Sequence, residues 1–568
     1  MPQTAICQEQ ILSEEYYDFI IGPSGDGDIT RLSSEPLCEQ HIGFWYKAVY
    51  LEREIAEPLT LDRFFYNSIP KCYTLLDMEA MNQAGISQVQ NYPNLELKGE
   101  GVMIGFVDTG IDYENPIFRN ADGTTRIAGI WDQTQQDGIA PRGFAYGSEY
   151  TQQMLNKALE QEYPVTEVPS VDMIGHGTFL ASVSAGGPDL KQQFVGAAPK
   201  ATIAMVKLKP AKNYLKQYYF IKENTPCYQE NDIMAGIAYL NELAETKGLP
   251  LSICVALGTN MGGHNGRAPL VSVLDRYGNM SNRVVVIGGG NEANQRHHFL
   301  GKIETMSEKE EVEIRVGTDT TGYSMELWTT IPNVFTISLL SPSGERIPNI
   351  PIRVAKSAVY EFVLDKTKVS IDYRLVVEKT NSELIFFRFE KPTPGIWKVI
   401  VEPLQLVDGI FHCWLPVTEF LTGEVYFLQS NPNYTLTEPA SALTPITVSY
   451  YDGTNNSIAI SSGRGYTRNE QIKPDFATVG VEVLGATSRN LFATRTGSSI
   501  AAGITAGASA LVMEWIVYQL ELFGVDSIQI KSLLILGTER DKTRAYPNRE
   551  WGYGTLNLFR MFEELRQL

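Results

Sequence analysis

Val102-Met103-Ile104-Gly105-Phe106-Val107-Asp108-Thr109-Gly110 is a short apolar run that stops on an acid and a turn. It reads as a strand buried on both faces, with Asp108 at its carboxyl end. Groups that do chemistry in open α/β sheets collect at that edge. Working outward, the pattern repeats. Asn231 or Asp232 N-caps a helix whose apolar positions Ile233, Ile237, Leu240 and Leu243 share one face. Gly248 and Pro250 end it, and residues 251–257 read as the next buried strand. Residues 284–287 read as another. Short apolar strands alternating with helices predict a mostly parallel sheet with helices on both faces.

The flanks read differently. Residues 1–80 form a small α+β unit, with strand-like runs at 16–21, 47–51 and 72–76 and a helix near 59–66. The α/β pattern occupies 81–300. Between 301 and 435 helix signals vanish, and Glu311-Val312-Glu313-Ile314-Arg315-Val316 alternates with period two. An inserted all-β sandwich is the reading there, with its two ends close together so that the α/β sheet can close around it. The α/β pattern resumes over 436–568, where a long apolar helix begins near Ser499.

The chain has 568 residues, too many for one compact core, and divides into two to four domains. A net charge of −19 repels phosphates, so neither nucleic acid nor an anionic membrane is an expected partner. No run approaches the roughly 20 apolar residues that span a bilayer. Residues 1–10 are polar and carry Glu9 where a signal peptide has a basic segment and an apolar stretch, so synthesis in the cytoplasm is expected. Cys7, Cys38, Cys72, Cys227, Cys254 and Cys413 are scattered, with no metal-ligand spacing. Each reads as a small buried hydrophobe in a reduced compartment, and no metal or cofactor is expected.

Four motifs carry chemistry. Asp108 ends the first strand. His176 lies between Gly175 and Gly177 at a helix start, ahead of Thr178. Ser499, in Gly497-Ser498-Ser499-Ile500-Ala501, opens a helix of small residues, where free backbone N–H groups and the dipole favour negative charge. Asn291 follows Gly288-Gly289-Gly290 at a strand end and can donate a hydrogen bond into a neighbouring site. Alone, each has a plainer reading: turn residue, loop histidine, N-cap serine, turn asparagine.

Together, in the order Asp, His, Asn, Ser, they resemble the subtilases. That family's patterns, Asp-Thr/Ser-Gly, His-Gly-Thr, Gly-Asn and Gly-Thr-Ser-x-Ala, match at Asp108, His176, Asn291 and Ser499. Ala256-Leu257-Gly258 resembles its substrate-binding strand, and Gly289 falls in its substrate-binding turn. Lys473-Pro474-Asp475 with Gly480, and Gly552-Tyr553-Gly554-Thr555-Leu556-Asn557, resemble further family segments. The resemblance covers about residues 80–300 and 435–560. It departs at Ser498 (Thr in the family), Gly503 (Pro), Phe179 (His) and Thr478-Val479-Gly480 (Ala-Pro-Gly).

The resemblance implies a serine endopeptidase with Asp108, His176 and Ser499 as its triad and Asn291 in the oxyanion hole. The N-terminal unit and the long insertion are similar to those of the clostridial Csp germination proteases. That likeness implies a prodomain over 1–80, cut between Cys72 and Gly85 and retained non-covalently, and a jelly roll over 301–435. It also implies a protein substrate, a cortex-lytic zymogen, and a spore-associated location. Two other readings are a non-catalytic scaffold and a carbohydrate binder built on Trp328, Trp397 and Trp414.

Overall fold

The computed structural model describes residues 3–22, 29–32, 37–75, 84–93, 95–352, 357–522 and 524–567. At its centre is a nine-stranded sheet. Met103–Asp108 lies between Leu251–Val255 and Thr202–Lys207, parallel to both. The parallel run continues on one side through Arg283–Gly288, Ile446–Asp452 and Phe476–Val479, and on the other to Ile127–Asp132. Only the edge strands Ser148–Thr151 and Ser457–Ile458 run antiparallel. The mixed α/β fold with a parallel-rich sheet is the one the strand–helix alternation predicts.

Period-two geometry sends alternate side chains of the Met103–Asp108 strand into two separate cores. Ile104 and Phe106 join one core with the helices His176–Ala185 and Ser498–Glu514. Met103 and Val107 join the other, with the helices Glu230–Lys247 and Pro269–Gly278. All four side chains are at most 1% exposed. Burying each contributes about 1.5–3 kcal/mol. The Ser498 helix with its continuation to Gln519 is long and apolar enough to cross a membrane, but 89% of its apolar window is buried inside the protein. The helix predicted to start at Asn231 or Asp232 starts earlier, at Glu230, because both side chains have other work. Asn231 donates to Asp18 at 3.0 Å, and Asp232 pairs with Lys209 at 2.6 Å.

Between His298 and Phe427 the chain builds two antiparallel sheets, of six and five strands, that share one apolar core. The ends of this interruption meet, since Asn431 N–H donates to His298 O at 2.8 Å and Phe427 N–H to Arg296 O at 3.0 Å. Trp328, Trp397 and Trp414 are at most 2% exposed, and none offers a face to a sugar. Glu383 is buried in the same insert. Its Oε2 accepts from Phe335 N–H at 3.1 Å, its Oε1 is unpartnered among the described residues, and burial pushes its carboxyl from the ordinary 4.5 up to about 8. The native state therefore keeps a proton that the unfolded chain has released between about pH 4.5 and 8. This contribution to stability is full below pH 4.5 and is lost as pH rises through 8. Glu383→Gln, neutral and of the same shape, is expected to melt several degrees higher than wild type at pH 9 and at the same temperature at pH 5. Equal melting temperatures at pH 9 would reject this.

The N-terminal unit differs in part from its sequence reading. It opens with a helix, Gln3–Leu12, before the strands Tyr16–Ile21, Glu39–His41 and Lys47–Glu52. Residues 59–66 do not form the predicted helix. Leu59, Leu61, Phe64 and Tyr66 enter a core shared with Trp328 and Trp414. The Arg63 guanidinium, donating to Ile55 O at 2.7 Å, holds the chain in turns there. The cysteines also need correcting. Cys7 and Cys38, read as small buried hydrophobes in a reduced compartment, form a disulfide with Cα atoms 5.0 Å apart, because the first helix lies beside Cys38; the other four are free and buried. The strand predicted over 72–76 is observed as Cys72–Leu75, and Leu76 lies outside the described residues.

Candidate active site

Three chain segments far apart in sequence deliver the central side chains. Asp108 ends the Met103–Asp108 strand, His176 begins the His176–Ala185 helix, and Ser499 is the second residue of the Ser498–Glu514 helix. The His176 helix can approach the strand only because residue 177 is glycine, since a Cβ there would collide with the Gly110 carbonyl oxygen. His176 Nδ1 lies 2.8 and 2.9 Å from the two Asp108 oxygens, and Nε2 lies 3.3 Å from Ser499 Oγ. A carboxylate only accepts, so Nδ1 carries the proton and Nε2 is left to accept from the serine hydroxyl. All three residues are at most 2% exposed, which keeps the local dielectric low and strengthens each bond.

Asp172, which the motif reading missed, fixes the helix that carries His176. Its Oδ1 accepts from Gly175 N–H at 2.8 Å, and its Oδ2 accepts from Thr178 N–H at 2.9 Å and Thr178 Oγ1 at 2.7 Å. An acid four residues ahead of a helix-starting His is the capping signal that could have found it. Thr109 adds a second tie, accepting from Gly177 N–H at 2.9 Å.

Asn291 reaches the start of the Ser499 helix. Its Oδ1 accepts from Ser498 N–H at 3.0 Å, which fixes the amide orientation and leaves Nδ2 as a donor beside Ser499. Ser499 N–H is one of the helix's unpaired first-turn amides.

Gly258 and Gly289 both meet Thr437, since a Cβ at Gly258 would collide with Thr437 Oγ1 and Gly289 O accepts from Thr437 N–H at 3.1 Å. The Leu257-Gly258 strand pairs antiparallel with the end of the N-terminal unit, Leu257 opposite Leu75 and Gly258 opposite Thr74. On its other edge the Cys72–Leu75 strand pairs with Tyr228–Gln229, a two-residue strand too short to read from sequence. The N-terminal unit therefore ends as the middle strand between two edges of the α/β domain. Residues 76–83, on which most of the predicted cut region falls, lie outside the described residues. Among the described residues no group of three or more His, Cys, Asp or Glu side chains is placed to hold a metal ion.

Comparison with known proteins gives a family-model match, described as "Subtilase family", over residues 99–348 and 422–554, more than half of the chain. The unmatched residues between these two stretches fall inside the all-β insert. The structure of the Clostridium perfringens CspB protease is 30% identical, with a TM-score of 0.75 and coverage of 86% of this chain and 99% of that one. Two Arabidopsis thaliana proteins, subtilisin-like proteases SBT2.2 and SBT2.3, are 29% identical over 129 residues and 32% over 134. Each match spans 20% of this chain and only 15% of the relative's length.

Proposed function

The chain belongs to the subtilase family, and from that premise we propose that it is a serine endopeptidase with Ser499 as nucleophile. The observation that carries this is the buried His176 imidazole, which bridges Asp108 at 2.8 Å and Ser499 at 3.3 Å. Ser499 Oγ attacks the scissile carbonyl as His176 Nε2 takes its proton, and the acyl-enzyme forms when His176 returns that proton to the leaving amine. Asp108 holds the ring in the required tautomer and stabilises the imidazolium. Water then attacks the acyl group by the same route. The oxyanion sits between Asn291 Nδ2 and Ser499 N–H. A fluorophosphonate, which reacts only with an activated serine, is the direct test. Wild type is labelled, and the non-catalytic scaffold reading requires that it is not. Asn291→Ala is expected to lower kcat by about 10²–10³-fold with KM little changed. An unchanged kcat would remove Asn291 from the oxyanion hole.

The N-terminal unit is a prodomain that occupies the cleft as the first substrate, supported by the pairing of Thr74 and Leu75 with Gly258 and Leu257. Cleavage follows in the adjoining segment, before Gly85, and the unit stays bound. Its attachment is polar as well as apolar. Asp18, 1% exposed, pairs with Lys212 and accepts from Gln229 Nε2 at 2.7 Å. Breaking such a buried pair leaves an uncompensated charge, which opposes release.

The finer role we propose is that of a spore-associated germination protease that activates a cortex-lytic zymogen. The likeness to the CspB protease over most of both chains supports it. Incubating the zymogen with the protein and sequencing new N-termini tests this role separately. An enzyme that is labelled by fluorophosphonate yet leaves the zymogen whole would reject the germination role and keep the peptidase.

A further inference from the structure

Residues 289–296, which carry Asn291, form neither helix nor strand, so no hydrogen-bonded ladder fixes where the Asn291 amide lies. The chain is tied on either side of it. Gly290 N–H donates to Ser498 Oγ at 3.0 Å, and Ala293 N–H donates to Ser461 O at 3.2 Å. Between these ties sits Glu292, whose carboxylate is buried, the residue being 5% exposed. Its two oxygens take hydrogen bonds from three separate parts of the chain. Oε2 accepts from His297 Nδ1 at 2.6 Å and from Asn260 Nδ2 at 3.1 Å. Oε1 accepts from Thr418 N–H at 3.3 Å and from Thr418 Oγ1 at 3.1 Å. Asn260 follows the Leu257-Gly258 strand, and Thr418 opens a short turn in the all-β insert. His297 is fixed in its turn, its carbonyl accepting from Leu415 N–H of the insert at 2.9 Å.

A buried carboxylate is costly, and apolar packing of the same size often holds such a joint as well or better. What charged hydrogen bonds add is direction, because each donor sets an angle as well as a distance. Glu292 adjoins the residue whose amide has to point at the developing oxyanion. Misplacing a group there by about 1 Å costs on the order of 10²-fold in rate. We infer that Glu292 is a positioning residue for the reaction and acts through Asn291. The backbone the two residues share transmits the constraint, and the Asn260, His297 and Thr418 donors anchor it. The inference rests on the reading of Ser499 as nucleophile and Asn291 as oxyanion donor.

The test measures kcat and KM of the purified full chain on a quenched fluorescent peptide that wild type cuts. Glu292→Gln and Glu292→Ala are each made alone and together with Asn291→Ala. Gln keeps the size of the side chain but turns one acceptor into a donor facing Asn260 and His297. Glu292→Gln should lower kcat about 10-fold and Glu292→Ala about 10²-fold, with KM changed by less than about 2-fold. In the Asn291→Ala background the same changes should cost less than about 2-fold in kcat, since no amide is left to aim. If Glu292→Ala fails to fold by circular dichroism, the isosteric Gln variant decides. A wild-type kcat in Glu292→Gln would overturn the inference. So would a loss that recurs in full beside Asn291→Ala, which is the mark of a merely structural role. An Asn291→Ala enzyme with wild-type kcat would instead overturn the oxyanion reading, and this inference with it. A wild type that cuts no peptide and takes no fluorophosphonate would overturn the reading of Ser499 and both that depend on it.

Discussion

Ser499→Ala is expected to lower peptide hydrolysis by about 10⁶-fold and to leave the protein as one 63.3 kDa chain on a denaturing gel. Under the proposed mechanism the loss is this large because His176 and Asp108 act through the serine, and without it nothing is left to acylate. The fold should survive. Ser499 lies in a helix that already carries Ala501, Ala502 and Gly503 in its first turns, and alanine is the best helix former. Wild type on the same gel should show two bands, a fragment of about 75–84 residues and the remainder. Full-length chain in both lanes would reject self-processing, and two bands in both would assign the cut to another protease. A variant that hydrolysed peptides at the wild-type rate would remove Ser499 from the chemistry.

Asp108→Asn should cost about 10⁴-fold in kcat while leaving the distances almost unchanged. An asparagine amide facing His176 donates where the carboxylate accepted, so Nδ1 becomes the acceptor and the proton moves to Nε2. That nitrogen then faces Ser499 Oγ, 3.3 Å away, as a donor and cannot take its proton. The charge that stabilises the imidazolium is lost as well. Circular dichroism and the melting temperature should match wild type within a few degrees, separating this loss from misfolding. A kcat within tenfold of wild type would show that Asp108 does not set the tautomer.

Asp108, His176, Asn291 and Ser499 are legible in the sequence because each is held by its immediate neighbours. An apolar run fixes the strand that ends at Asp108, glycines fix the turns beside His176 and Asn291, and a small-residue helix fixes Ser499. Residues placed by long-range contact are not legible. The Tyr228–Gln229 strand is placed by its pairing with Cys72–Leu75, more than 150 residues away in sequence. The Cys7–Cys38 bond depends on where the Gln3–Leu12 helix lies, and cysteine spacing does not encode a pairing. The absent helix over 59–66 has a related cause. Its apolar residues mark burial correctly, but the partner surface belongs to the distant insert, and local periodicity cannot report it.

The Ser498–Glu514 helix, packed against the Leu251–Val255, Arg283–Gly288, Ile446–Asp452 and Phe476–Val479 strands and the His176 helix, also sets a timetable for synthesis. Ser499 emerges 323 residues after His176. At roughly 5–20 residues per second a ribosome takes on the order of 15–65 s to cover that distance. Throughout that interval one face of the nascent sheet lacks the helix that dries it, while the insert, with its own core, emerges between the two halves of the sheet. Contacts this remote in sequence make for slow folding. The last strands and Ser499 arrive together, so the Asp108–His176–Ser499 arrangement cannot assemble until almost the whole protein has left the ribosome.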